Sequence, residues 1–141
     1  MQDQEVINIL QNQLNFRTKT ISDIKTFINE LLIANKRHRH VLDSAQLVKF
    51  IDFTKGSLSD LGSGAGFPGL ILALFNRNKD FHVKLYEKSP VKRAFLEDVR
   101  KKLSINVEIF GNIYEHFTDT DYIVSRAFKK LEAVIQVSRE I

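Results

Sequence analysis

The fold of this chain is decided by the stretch Leu58-Ser59-Asp60-Leu61-Gly62-Ser63-Gly64-Ala65-Gly66-Phe67-Pro68-Gly69. Its first four residues predict a short buried strand, and the apolar residues 70–75 that follow predict a helix. Proline is tolerated where a helix starts, because its missing amide would have no helical partner there. Glycine allows positive φ and a close approach of the backbone to a ligand. Four glycines within residues 62–69 therefore favour a ligand cradle between strand and helix over a plain tight turn.

The residues on both sides of this stretch alternate between helical and strand patterns. Apolar residues at helical spacing predict helices over about residues 21–32 and 41–51. Further strands are predicted at 81–86, 106–110 and 121–125, and further helices at 90–103 and 131–138. Strands that alternate with helices indicate βαβ units and a parallel sheet. We therefore expect an α/β fold of one structural domain, with an N-terminal helical extension over 1–54 and an α/β core over 55–141.

Two local predictions complete this scheme. Residues 1–20 are polar and only faintly periodic, which predicts a frayed helix. In the helix over 90–103, the inward face is predicted to carry Val91, Ala94, Phe95, Val99 and Leu103.

The composition bounds the class of protein. Of the 141 residues, 43% are hydrophobic and 27% are charged, which is ordinary globular usage. The chain has no cysteine, which excludes disulfides and thiolate metal sites and favours the cytoplasm. No apolar run reaches the ~20 residues of a membrane span, and the N-terminus shows no secretory pattern. The net charge of +4 suits an anionic partner.

Two classes of phosphate ligand fit the glycine loop poorly. A P-loop ends in Gly-Lys-Ser/Thr, whereas this loop ends in Pro68-Gly69-Leu70, so nucleoside triphosphate binding is disfavoured. Gly64, Gly66 and Gly69 match the G-x-G-x-x-G pattern of dinucleotide-binding folds. Pro68, however, removes an amide that a pyrophosphate would use at the helix N-terminus. A dinucleotide therefore stays open only as a distant alternative.

A third ligand fits the loop better. Asp60 on the strand, followed by Gly62, Gly64 and Gly66, is the acidic-G-x-G-x-G arrangement typical of S-adenosylmethionine-dependent methyltransferases. This ligand has no phosphates, and nearby carboxylates suit its positive charges. Glu87 ends the next predicted strand, where an acidic residue can accept hydrogen bonds from both ribose hydroxyls. We expect these glycines and Glu87 to contact the cofactor.

Four stretches in order resemble motifs of the small-subunit ribosomal RNA guanine-N7 methyltransferases, also called glucose-inhibited division protein B. They are Arg39-His40-Val41-Leu42-Asp43-Ser44, Asp60 to Gly69, Lys92-Arg93-Ala94-Phe95-Leu96 and Val124-Ser125-Arg126-Ala127-Phe128. The resemblance starts at about residue 31 and implies a Rossmann-like S-adenosylmethionine-dependent methyltransferase fold. It also implies a cytoplasmic enzyme that methylates N7 of one guanine in 16S rRNA, with the rRNA or the small ribosomal subunit as partner. The implied cofactor contacts are Gly62, Phe67, Ile113, Tyr114 and Arg126.

This reaction needs no general base, because guanine N7 has an in-plane lone pair and no proton. We therefore assign no catalytic acid or base, not even His38 or His40, and expect no metal. The enzyme would contribute positioning and electrostatics. The RNA-binding candidates are Arg37, Arg39, Arg93 and Lys129, with Lys36, Lys101, Lys102 and Lys130 as further basic residues. For any single lysine the alternative is an ordinary solvated charge.

Two features depart from the family pattern. Arg37-His38-Arg39-His40 follows Asn35-Lys36 at once, so a connecting segment is expected to be missing. Only four strands can be placed before Ile141, so the C-terminal strands of the family fold are also expected to be missing. Three hypotheses therefore stand: an active rRNA methyltransferase, a non-catalytic domain that still binds cofactor or RNA, and a degenerate or truncated remnant of the family that is only marginally folded. The sequence does not indicate the oligomeric state.

Overall fold

The computed structural model describes residues 3–31, 37–111 and 120–126. The helices are α1 (Asp3–Asn8), α2 (Thr18–Leu31), α3 (Arg37–Ala45), α4 (Gly69–Phe75) and α5 (Pro90–Leu103), with a π-helical turn over Ile9–Gln13 and a 3-10 turn over Gln46–Phe50. The strands are β1 (Gly56–Leu61), β2 (Phe81–Tyr86), β3 (Glu108–Phe110) and β4 (Tyr122–Val124). The predicted helix over 131–138 and the candidate residues Ile113, Tyr114 and Lys129 lie outside the described residues.

The four strands form one parallel sheet in the order β3-β2-β1-β4. β1 pairs with β2 from Gly56–Phe81 to Leu61–Tyr86, and with β4 on its other side. The predicted α/β class with a parallel sheet is thus confirmed. Because the strand order reverses on either side of β1, the carboxyl end of β1 is a topological switch point. Ligand sites of open α/β sheets lie at such points.

The core forms between the sheet and the helices that cover it. β1 is buried along five of its six residues, which is typical of a central strand of a parallel sheet. α4 carries only apolar residues and glycine, and its residues 69–74 are all buried. It packs against α2, α3 and β2. α4 is therefore the central helix of this layer, and its N-terminus fixes the glycine loop that precedes it.

The N-terminal residues are more ordered than their polar composition predicts. Val6, Leu10 and Leu14 are 5%, 2% and 5% exposed. Their spacing of four residues places them on one side of the helical segment. They join the same hydrophobic cluster as Phe27 of α2 and Leu58 of β1. The prediction of a frayed helix is therefore wrong for the described residues 3–20, because these three apolar residues and Phe16, which is 4% exposed, attach this otherwise polar segment to the core.

α5 begins and ends as its sequence predicts, but it is rotated about its axis relative to the predicted face. The Ser89 hydroxyl caps the helix by accepting a hydrogen bond from the Lys92 amide. Leu96 and Val99 are buried, whereas Val91 is 81% exposed. Val91 lies five residues before Leu96, which is about 140° around the helix.

The assignment of Val91 and Ala94 to the inward face is therefore wrong, and Ala94 is exposed as well. Val99 is buried as predicted, and Phe95 and Leu103 are half-buried. The sequence prediction omitted Leu96, which lies at the centre of the buried face.

Substitutions at Leu96 and Val91 test this orientation. Leu96→Ala should lower the free energy of unfolding by about 2–5 kcal/mol, because it leaves a cavity in the core. Val91→Ala should change the free energy by less than about 0.5 kcal/mol, because the side chain is in solvent. Urea denaturation followed by circular dichroism measures both. Equal losses for the two variants would contradict the orientation of α5.

Candidate functional site

The glycine loop arches away from the carboxyl end of β1. The amides of Gly62 and Ser63 both donate to the Tyr86 carbonyl of β2, at 2.8 and 3.0 Å. Gly66 has φ +114°, which L side chains rarely adopt, and a Cβ there would lie 3.1 Å from Leu70 Cβ. The loop therefore needs glycine both for its conformation and for its close approach to α4.

A buried hydrogen bond closes the loop at its base. The Gly69 amide, at the start of α4, donates to Oδ2 of Asp60 in β1 at 2.8 Å. Asp60 is fully buried. A Cβ on Gly69 would overlap the side chains of Asp60 and Leu85. Glycine at position 69 therefore lets α4 approach the sheet closely enough for this bond, and residues 62–68 form the loop above it.

Burial controls the protonation of Asp60. The pKa of this carboxyl is raised from 3.8 to about 7, chiefly by burial and to a smaller extent by the nearby Glu87 carboxylate, against the opposing effect of the hydrogen bonds from Gly69 and Ser63. Oδ1 of Asp60 has no hydrogen-bond partner among the described residues. The group is thus a buried acid that changes charge near neutral pH, directly beneath the glycine loop.

Glu87 follows β2 and contacts the loop from the side. Its Oε1 accepts from the Gly64 amide at 2.8 Å, and its Oε2 accepts from the Ser89 amide at 2.9 Å. Its own amide donates to the Phe110 carbonyl at the end of β3. Only 7% of the residue is exposed. Each carboxylate oxygen keeps a second lone pair, so the group can still accept hydrogen bonds from a ligand.

A cavity of about 410 Å³ lies above the loop. Its lining residues are His40, Gly62, Ser63, Gly64, Ala65, Phe67 and Arg126. Small-molecule sites typically measure about 300–1,000 Å³. A Cβ on Gly64 would meet nothing closer than the Gly62 carbonyl oxygen at 4.0 Å, so a side chain there would project into open space. The loop thus presents bare backbone to the cavity.

Two elements remote in sequence complete the cavity wall. The Phe67 ring lies 5.4 Å from the rings of both Phe27 and His40. His40 Nε2, on α3, lies 3.2 Å from Arg126 Nη2. A guanidinium can only donate hydrogen bonds, so Nε2 is the acceptor in this contact. Phe67 is therefore both a packing residue and a lining residue.

The structure brings most of the predicted cofactor residues together. Gly62, Gly64, Phe67 and Arg126 line the cavity. Glu87 is not one of the lining residues, but its carboxylate accepts a hydrogen bond from the Gly64 amide. Gly66 does not line the cavity, because it packs beneath the loop against α2 and α4. Sequence reasoning did not assign His40, Ser63 and Ala65 to the site. The Arg39-His40 motif was the available signal for His40.

The predicted RNA-binding residues lie in different settings. Arg39 is exposed on α3, and Arg37 is the first residue of the same helix. Arg93 is half-buried, and its Nη1 donates to the main-chain carbonyl of Glu87 at 2.8 Å. The side chain of Arg93 is therefore engaged beside the candidate cofactor site.

A larger cavity of about 630 Å³ lies at the opposite, amino edge of the sheet. It is lined by Phe53, Phe75, Asn78 and neighbouring residues, and by none of the predicted site residues. The smaller cavity is the better candidate because the switch point, the glycine loop and Glu87 coincide there. Within the described ranges, no cluster of His, Asp and Glu could hold a metal, and no helix could cross a membrane.

The family model described as rRNA small subunit methyltransferase G matches residues 20–141. This chain belongs to that family. Ribosomal RNA small subunit methyltransferase G of Pelagibacter ubique (strain HTCC1062) is 37% identical over 135 residues, covering 93% of this chain and 61% of the relative. The protein of that name from Rickettsia felis is 33% identical over 138 residues, covering 97% of this chain and 68% of the relative. This member thus spans about two thirds or less of the length of these two relatives.

Solved structures of other methyltransferases share the fold of this family member. Coclaurine N-methyltransferase bound to N-methylheliamine and SAH superposes with a TM-score of 0.63 at 18% identity, covering 97% of this chain and 53% of that chain. A protein-L-isoaspartate O-methyltransferase from Plasmodium falciparum, solved with S-adenosyl-L-homocysteine, has a TM-score of 0.56 at 17% identity, with 94% and 77% covered. These likenesses show that the fold is the Rossmann-like methyltransferase fold.

The Asp60→Asn variant tests the buried acid through the pH dependence of stability. The carboxyl titrates at 3.8 when unfolded and at about 7 when folded, so the unfolded chain loses this proton first. The wild type is therefore most stable relative to the variant at pH values below the unfolded-state pKa of 3.8. It loses this relative stability as the pH rises toward the folded-state pKa of about 7. We expect the difference in unfolding free energy to shift in favour of the variant by about 1.4 kcal/mol per pH unit in this window. Urea denaturation across the window measures the shift, and a constant difference would contradict the raised pKa.

Proposed function

We propose that this chain is an S-adenosylmethionine-dependent methyltransferase that acts on N7 of a guanine in 16S rRNA. The observation that carries the proposal is the contact of Glu87 Oε1 with the Gly64 amide at 2.8 Å, beside a cavity of about 410 Å³ at the switch point. The family to which the chain belongs supports the substrate, since its description names small-subunit rRNA.

The residues of the cavity fit this cofactor. Its two ribose hydroxyls need acceptors, and the Glu87 carboxylate beside Gly64 provides them. Its ammonium and sulfonium groups are positive, and the Glu87 carboxylate lies beside Gly64 of the cavity lining. Asp60 is fully buried beneath the loop and is not a lining residue, so it would act by holding the Gly69 amide and not by contacting the cofactor. Two proteins of the same fold were solved with S-adenosylhomocysteine, which also supports this choice.

The start of α4 argues against a dinucleotide. Pro68 has no amide hydrogen, the Gly69 amide donates to Asp60, and the Leu70 amide donates to the Gly66 carbonyl. A pyrophosphate binds at the amides of a helix N-terminus, and these first amides are already engaged. The Asp60 and Glu87 carboxyls would also disfavour phosphate groups. The alternative of a dinucleotide-binding domain therefore has little support from the site.

The chemistry requires positioning more than proton transfer. When bound, the cofactor supplies an electrophilic methyl group, and guanine N7 offers a lone pair without a proton. The chain therefore has to hold the two groups in line and exclude water. Glu87 and the glycine backbone would bind the cofactor, and Arg126 at the cavity wall, held by His40, would contact it. The exposed Arg39 on α3 would contact rRNA phosphates.

Calorimetric titration with S-adenosylhomocysteine tests the site, with Gly64→Asn as the decisive variant. Asparagine tolerates the left-handed backbone of Gly64, with φ +55°, but its side chain would enter the cavity. We expect saturable binding by the wild type and at least about tenfold weaker binding by the variant. Ser104→Asn is the matched control, because Ser104 has φ 52° at the end of α5, outside the cavity lining. Unchanged binding by Gly64→Asn would show that the loop is not the site.

Methyl transfer to small ribosomal subunits tests the reaction. With methyl-labelled S-adenosylmethionine, we expect the label to appear in 16S rRNA. Treatment with borohydride and aniline cuts RNA at N7-methylguanine, and we expect it to cleave this rRNA at one guanine. Label on another base would contradict the assignment to N7. Saturable cofactor binding without any transfer would instead support the non-catalytic alternative.

A further inference from the structure

The guanidinium of Arg93 lies between the carboxyl ends of two strands. Arg93 is in the first turn of α5, where its amide donates to the Ser89 carbonyl at 2.9 Å. Its side chain extends toward the sheet, and Nη1 donates to the main-chain carbonyl of Glu87 at 2.8 Å. Glu87 follows β2 directly, so this contact restrains the main chain at the residue whose carboxylate accepts from the glycine loop.

The residue after β3 leaves room for this guanidinium. A Cβ on Gly111 would lie 3.3 Å from Arg93 Nη1 and 3.6 Å from Cζ. The first distance is shorter than most real contacts, so a side chain at position 111 would require the guanidinium to shift by a few tenths of an ångström. Gly111 follows Phe110, whose carbonyl accepts from the Glu87 amide at 2.9 Å. Arg93 therefore donates a hydrogen bond to Glu87 at the end of β2 and lies beside Gly111, the residue after β3.

Glu87 is consequently held by four hydrogen bonds from different elements. Its amide donates to the Phe110 carbonyl of β3, and its carboxylate accepts from the Gly64 and Ser89 amides. Its main-chain carbonyl accepts from Arg93. The bond from Arg93 has a cationic donor and the two bonds to the carboxylate have an anionic acceptor, so all three are charge-assisted and about twice as strong as neutral ones. The bond from Arg93 is the one of the four that holds the main-chain carbonyl. Without it, the peptide after Glu87 is freer to rotate, which would move the carboxylate away from Gly64.

We propose that Arg93 is a positioning residue that holds the Glu87 carboxylate against the glycine loop in the geometry that accepts the cofactor ribose. The proposal rests on the proposed function for the part that concerns the cofactor. It differs from the prediction that Arg93 contacts RNA, and the two assignments lead to different variant phenotypes. Lys92 is the matched control, because it is the adjacent cation and is exposed on α5.

Amide hydrogen exchange tests the positioning without any ligand. We expect Arg93→Gln to speed exchange of the Gly64 amide at least about tenfold, because its acceptor moves away. The Gly62 amide, which donates to Tyr86, is the internal control and should change little. Lys92→Gln should change neither amide. Unchanged exchange at Gly64, or equal acceleration at both glycines, would overturn the proposal. If Arg93→Gln does not fold, Arg93→Met provides the same comparison, since it removes the guanidinium that donates to the Glu87 carbonyl and keeps the apolar part of the side chain.

Titration with S-adenosylhomocysteine tests the consequence for binding. We expect Arg93→Gln to weaken binding about fivefold to tenfold, and to have no further effect in a Glu87→Gln background, because Arg93 acts through Glu87. Additive losses, or a loss in RNA affinity with unchanged cofactor affinity, would overturn the proposal and favour an RNA contact. Absence of binding by the wild type would contradict the proposed function, while the exchange experiment would still decide the role of Arg93.

Discussion

The hydrogen bond between the Gly69 amide and the buried Asp60 carboxyl is the contact on which the site depends. It fixes the start of α4 against β1, so that the seven residues between them, 62–68, must arch over the sheet edge. Removing the acceptor would leave a buried amide unsatisfied, which costs about 1–3 kcal/mol. Burial of a carboxyl is itself unfavourable, and the raised pKa of Asp60 is the sign of that cost. Such a cost is typical of groups that serve a site rather than stability alone.

The sheet order then places the other components around this loop. β2 and β4 flank β1, so Glu87 after β2 and Arg126 after β4 reach the loop from opposite sides. Among the N-terminal helices, α3 contributes His40 to the cavity lining, and α2 supports the loop through Phe27, whose ring packs against Phe67. The helical extension thus forms part of the wall of the cavity above the glycine loop. Its packing on α4 explains why it shares one hydrophobic cluster with the α/β core.

Local sequence patterns predicted the elements well, because strand and helix periodicity is a local property. The loop, the parallel sheet and the position of Glu87 all followed from it. The orientation of α5 could not be predicted in this way. Val91 and Ala94 are apolar and were expected to face the core, but the packing of α5 on the sheet buries Leu96 instead. The contact of Arg93 with a main-chain carbonyl is also outside the reach of sequence patterns, since any residue type carries that acceptor. The assignments of Ile113, Tyr114, Arg37 and Lys129 stay predictions, as does the boundary at residue 54.

A crystal structure of the chain with S-adenosylhomocysteine would test the central claim most directly. The account predicts that the ligand occupies the cavity lined by Gly62, Gly64 and Phe67, with both ribose hydroxyls within hydrogen-bond distance of the Glu87 carboxylate. A ligand bound instead in the larger cavity at the amino edge, or bound with its ribose away from Glu87, would contradict it.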